Sequence, residues 1–294
     1  MTKIVVHRFG DLEKGFAERI VEILEDCYNS LGVHTVEIVD VYIFESSSSM
    51  SAFINDEKAK LGIKTSAFEE DFLAVHDAWH GTPRIMISRN KMSQVPELVG
   101  LGTLHHEVAH TVLHGSLEYY VFPTPIFLLD LQRKSVISMQ TLRDLVYLGS
   151  IAVKDYEVTH LLHENGYVDD QVAYNEYCLQ PSPEEGEAWK LAEKNNVANL
   201  LFLVSILKTA FCAAPLLKDR RCGAGISEAI TKSMNFLPSK SSARLFRILE
   251  AASEFGMNTH ENVARFMTEI ESLVQYVRLY DAEFPTKNGS KKGI

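Results

Sequence analysis

Basic residues are in short supply in this chain: 29 Lys and Arg stand against 39 Asp and Glu, for a net charge of −10. Nucleic-acid binders usually carry the opposite balance, so no nucleic-acid partner is expected. Cysteine is scarce too. Cys27, Cys178, Cys212 and Cys222 are spread over 294 residues, none in C-x-x-C spacing. They read as scattered, reduced thiols of a cytoplasmic protein. Long apolar runs are nearly absent. The most apolar stretch, VANLLFLVSILKTAFCAAPLL (Val197–Leu217), is interrupted by Lys208. The part before that lysine falls short of the roughly 20 residues a membrane span needs. It reads as a buried core helix, and no membrane partner is expected. The opening MTKIVVHRFG lacks the apolar core of a signal peptide.

The 46% hydrophobic content is that of a globular protein with a core of its own. Over the first ninety residues short β-branched runs alternate with amphipathic segments. KIVVHRF, HTVEIVDVYIF, FLAVHDAW and PRIMIS read as strands. DLEKGFAERIVEILEDCYNSLG reads as a helix, with Phe16, Ile20, Ile23 and Leu24 at helical spacing. Met50–Leu61 reads as another. After Pro96 the pattern turns helical: Ser135–Tyr167, Glu184–Leu217, Ile226–Phe236, Ser242–Phe255 and Glu261–Phe284. The expected fold is α+β. An α/β half over residues 1–115 is followed by a helical half over 116–284 and a polar tail over 285–294. The apolar helix in the second half needs partners inside the chain or across a homo-oligomer.

At the junction stands LHHEVAHTVLHGS, Leu104–Ser116. His106-Glu107-Val108-Ala109-His110 is an H-E-x-x-H motif. On a helix, residues four apart lie one turn along the axis and about 40° around it. Two imidazoles so placed can converge on one ion, and zinc accepts nitrogen at roughly 2.0–2.1 Å. Glu107 is turned about 100° from His106, too far to share the ion easily but placed to take a proton from its bound water. Projected on a helix, Leu98, Leu101, Leu104, Val108, Ala109 and Val112 fall on one side. His106, His110, His114 and Thr103 fall on the other, with Glu107 beside them. His105 projects onto the apolar side as a core or boundary residue. Gly100 and Gly102 suggest close packing under the sheet. His114 lies about 12 Å along the axis from His106, which argues for lining the cleft or orienting another group rather than for ligation. His76 and His80, at a strand end, read as surface residues.

These residues resemble the zincin clan of metallopeptidases, over roughly Pro83–Gly166. The resemblance implies a rim strand before the motif helix, filled here by PRIMIS, to which a peptide substrate adds as a further strand. It also implies Zn2+ with an open coordination position. The metzincin continuation fails, because Leu113 and Ser116 occupy its glycine and third-histidine positions. The gluzincin type takes a glutamate from a later helix, and Glu157 in KDYEVTHLLHENGY is in place for it. Its helix is apolar over much of its circumference, where a carboxylate without a partner is costly; His160 is the rival. The implied function is a zinc-dependent hydrolase, a peptidase acting on peptide or protein. His106, His110 and Glu157 would be ligands and Glu107 the general base. Tyr119, Tyr120, His160, His163 and Tyr167 are the candidates for stabilising the oxyanion. The alternative is an inactive metal-binding regulatory or interaction module on the same fold.

Overall fold

The computed structural model describes residues 2–60, 62 and 72–279; the expected tail over 285–294 lies outside them. Four strands come first: β1 (Lys3–Phe9), β2 (Ile38–Phe44), β3 (Ala74–Asp77) and β4 (Arg84–Ser88). Helices α1 (Lys14–Ser30) and α2 (Ser47–Lys60) lie between them. Then follow α3 (Arg89–Met92), α4 (Glu97–His114), α5 (Ile126–Arg133), α6 (Met139–Glu164), α7 (Asp169–Cys178), α8 (Pro183–Ala192), α9 (Asn196–Ala213), α10 (Gly223–Ser233), α11 (Ser239–Ala251) and α12 (Thr259–Tyr276). The class is α+β, with every strand among the described residues in the N-terminal part.

The sheet runs β1-β2-β4-β3. The first three strands are parallel and β3 is antiparallel to β4. The PRIMIS strand, expected at the rim, is therefore interior, paired on both sides and buried along its whole length. The edge beside the motif helix is β3. Alternation along the strands sends Val39, Val41, Ile43, Ile85, Ile87 and Ala74 to one face, where they pack with α1 and with Leu104, Val108 and Ala109 of α4. The opposite face packs Phe44 and Met86 with Met50 of α2. On α1, Ala17, Ile20, Leu24 and Cys27 form the buried stripe, the period that makes it amphipathic.

Helix α6 belongs to both cores. Leu142, Leu145, Leu148, Ala152 and Val153 pack among the C-terminal helices, whereas Val158 and Leu162 pack under the sheet. The segment between, Lys154–Glu157, is where its polar residues meet α4. Its start is capped by Ser138, whose hydroxyl accepts from the Thr141 N–H.

The single helix expected over Glu184–Leu217 is two. Ser182 forms a capping box at the start of α8, and Asn195 caps α9 through the N–H groups of Val197 and Ala198. The stretch Asn196–Lys218 is long and apolar enough to cross a membrane, yet half of its most apolar window is buried inside the protein. Leu200, Leu203, Val204, Leu207 and Ala210 are fully enclosed, the pattern of a core helix. Helices α5 and α7 had no counterpart in the sequence pattern.

Candidate metal centre

Helix α4 begins after Pro96 and stops at Gly115. Its apolar side enters the sheet core, and His106, Glu107, His110 and His114 occupy the other side, all buried. Gly102 packs against α7 rather than the sheet. A Cβ there would stand 2.7 Å from Tyr174 Cβ and overlap the Asp170 carbonyl oxygen. That close approach, reinforced by Gln171 donating to the Gly102 carbonyl at 3.0 Å, brings Tyr174 over His106 with ring centroids 4.9 Å apart.

The two motif histidines converge as the helical spacing predicts: their Nε2 atoms are 3.1 Å apart. The carboxylate that joins them is Asp155, not Glu157. Asp155 Oδ1 lies 3.2 Å from His110 Nε2 and 3.9 Å from His106 Nε2. Ligands at zinc's bond lengths in a tetrahedron sit about 3.3 Å from one another, so this spacing suits such an ion. Cys212 Sγ lies within 4.8 Å of donor atoms of both His106 and Asp155.

Glu157 serves another partner. It accepts from His114 Nε2 at 2.9 Å, Thr259 Oγ1 at 2.7 Å and Asn262 Nδ2 at 2.6 Å. The positions 155 and 157 are about 200° apart on a helix, so only one can face the motif histidines. Glu157 nevertheless reaches the centre through a chain. A carboxylate only accepts, so His114 carries its hydrogen on Nε2. Burial pulls the His114 pKa down to about 4, against the opposing pull of Glu157, so its Nδ1 is a bare acceptor. That atom lies 3.2 Å from His110 Nδ1. A neutral imidazole carries one hydrogen, so His110 cannot donate both to His114 and to Asp155, 3.2 Å from its Nε2.

One of these two contacts is therefore left without a hydrogen. A proton on His110 would reconcile them, but burial, with His76 adding to it, holds its pKa well below the ordinary value. Burial raises the Asp155 carboxyl, yet hydrogen bonds from His106 and His110 and the charge of Lys208 outweigh it and leave that group well below its usual range. Two imidazole nitrogens and a carboxylate at these distances are a donor set that zinc accepts. His106 Nδ1, by contrast, is buried without a partner, where ligating histidines usually donate to an acceptor.

His76, read from sequence as a surface residue, belongs to this centre. Alternation puts it on the same face of β3 as the buried Ala74. Its ring stacks on His110 with centroids 4.1 Å apart and planes 9° apart, and its Nδ1 is 3.3 Å from Glu107 Oε2. His80 is exposed, 3.7 Å from Glu57. His105 is mostly buried, with Nδ1 2.7 Å from Asp170.

A cleft of about 510 Å3 opens over the centre, lined by His106, Glu107, His110 and Asp155 and walled by Tyr119, Tyr120 and Lys154 among others. Tyr120 accepts from the Ala78 N–H at 2.9 Å, which leaves its own hydrogen to donate. Three other oxyanion candidates lie elsewhere. His160 is half-exposed and 3.5 Å from Glu164, His163 is bonded to Asp219 at 2.9 Å, and Tyr167 packs on His105. Asp155, His76, Tyr174 and Lys154 escaped sequence reasoning. One signal for Asp155 was present: Lys208, a lone charge in an apolar helix, whose charge acts on it.

Comparison with protein-family models, with curated proteins and with solved structures finds no match for this chain.

Proposed function

We propose that the protein is a zinc-dependent hydrolase of zincin type, a peptidase, with His106, His110 and Asp155 as ligands. The observation that carries this reading is the convergence of His106 Nε2, His110 Nε2 and the Asp155 carboxylate, 3.1 and 3.2 Å apart about His110 Nε2, with Glu107 one helical residue from His106. The antiparallel edge strand β3 beside the helix supports it, since an extended peptide can pair along such an edge.

A bound zinc ion would polarise the scissile carbonyl and acidify a water. Glu107, held by His76, would take a proton from the attacking water. As the water oxygen bonds to the carbonyl carbon, the Tyr120 hydroxyl donates toward the carbonyl oxygen, where charge accumulates. The C–N bond then breaks, and Glu107 passes its proton to the departing amine. The walls of the cleft hold the peptide and exclude bulk water. The test is Glu107→Gln: zinc content is retained and peptide hydrolysis falls by on the order of 100-fold or more. Normal turnover by this variant on a peptide the wild type cleaves would overturn the mechanism.

The second reading, an inactive metal-binding module, is favoured by one observation. If Cys212 filled the remaining position, no place would be left for water, and a closed site is structural. Burial raises the Cys212 thiol pKa well above its ordinary value, which works against thiolate ligation in the metal-free protein. X-ray absorption of the zinc-loaded protein separates the two. A sulfur scatterer near 2.3 Å supports the closed site, and its absence supports the open one.

A further inference from the structure

We propose that the cleft selects short peptides carrying a carboxylate close to the scissile bond, and that Lys154 is the residue that holds it. The proposal deepens the hydrolase reading and rests on it for turnover, though not for binding.

Lys154 is only 5% exposed, yet no carboxylate among the described residues pairs with it. Its ammonium reaches the Tyr119 carbonyl oxygen at a long 3.5 Å and sits 5.1 Å from the centre of the Tyr120 ring. The charges of Asp155 and Glu157 act on it from a distance, but without a direct carboxylate partner its burial is expensive; such a group is provisioned for a partner that arrives. Lys154 stands one residue from Asp155 on α6 and lines the same cleft as the metal centre.

The rest of the lining points the same way. Arg143, Lys208 and Lys58 also border the cleft. Its carboxylates are already engaged: Asp77 binds Arg84 in a two-pronged pair, Glu107 faces His76, and Asp155 faces the motif histidines. In a chain of net charge −10, this concavity is lined by more cations than carboxylates; Lys208 acts on Asp155, and Lys154, next to Asp155 in the chain, is placed to draw an anionic ligand. The cleft volume of about 510 Å3 is in the range of small-ligand pockets and suits a few residues of peptide, not a folded domain. A carboxylate of this kind comes either from a free C-terminus or from an acidic side chain.

The test uses one short peptide in three forms: free acid, C-terminal amide, and amide with a glutamate beside the scissile bond. Hydrolysis by the zinc-loaded wild type is measured alongside calorimetric binding to Glu107→Gln, so the preference is read even without turnover. The free acid should outperform the plain amide by about 10- to 100-fold in kcat/KM or in affinity, the worth of a charge-assisted hydrogen bond. Lys154→Met should bring that ratio close to one and Lys154→Arg should restore part of it, with zinc content and Tm of each variant measured as controls. A glutamate peptide that matches the free acid assigns the carboxylate to a side chain; one that matches the plain amide assigns it to the C-terminus. Equal handling of all three peptides by the wild type, or an unchanged acid-to-amide ratio in Lys154→Met, overturns the proposal. Preferential binding without any hydrolysis refutes the peptidase reading and leaves the carboxylate site standing.

Discussion

The choice between Asp155 and Glu157 as third ligand can be decided by metal affinity. Apparent zinc-binding free energies of closed protein sites run about 10–16 kcal/mol. Shared over four coordination positions, that is about 3–4 kcal/mol per ligand, on the order of 100- to 1000-fold in Kd. Asp155→Ala deletes the oxygen 3.2 Å from His110 Nε2 and should weaken zinc binding by that factor. Glu157→Gln acts two hydrogen bonds away. The amide nitrogen it introduces can donate to His114 Nε2, which shifts the hydrogen to His114 Nδ1 and turns His110 Nδ1 into an acceptor. The hydrogen then moves to His110 Nε2, where the ion should sit. Disturbing such outer partners costs about 10- to 100-fold. The assay is competition for zinc against a chromophoric chelator, with nitrogen NMR of the metal-free protein to read the tautomers of His110 and His114. A larger affinity loss in Glu157→Gln than in Asp155→Ala, or an unchanged tautomer in Glu157→Gln, would refute the assignment.

Removing zinc with a chelator should lower Tm, since a ligand present at 1,000 times its Kd stabilises by about 4.1 kcal/mol; an unchanged Tm in the presence of chelator means no tightly bound ion. Gly102→Leu drives a side chain into the Asp170 backbone and Tyr174, so it should cost about 1–3 kcal/mol and loosen Tyr174 from His106, read by denaturant unfolding and tyrosine fluorescence. Arg84→Met strands the buried Asp77 carboxylate, whose two oxygens the guanidinium now holds, and should destabilise by about 3–5 kcal/mol. Leu207→Ala, at a fully enclosed site on α9, should cost about 2–5 kcal/mol; a value below 1 kcal/mol would mean that the packing around α9 is looser than the structure shows.

Residues whose neighbours lie within a helical turn were legible in the sequence, and those whose neighbours lie across the fold were not. The convergence of His106 and His110 follows from helical geometry alone, as does the separation of His114 from that pair. The parallel strands and α1 follow from local periodicity. Strand order does not, because pairing joins segments far apart in the chain. PRIMIS and AVHD are both short and adjacent in sequence, and only the antiparallel turn at Gly81, with φ of 84°, leaves AVHD at the edge and His76 facing inward. The carboxylate that meets the motif histidines was hidden for a related reason. On α6 the apolar residues spread round much of the circumference, because one stretch packs under the sheet and the next among the C-terminal helices. A helix that is buried on several sides has no single face to project, so Asp155 and Glu157 were equally costly and equally eligible. What separates them is a charge on a different helix. Lys208 interrupts the most apolar segment of the chain, where an ammonium is costly without an anion nearby, and its charge acts on Asp155. The lysine that argues against a membrane span is thus also a pointer to the metal centre. Neutralising it tests this: Lys208→Met would leave α9 packed and, with Asp155 still ionised at neutral pH, should tighten zinc binding by removing a positive charge beside the site, whereas a lysine that does not act on the site would leave the metal affinity unchanged.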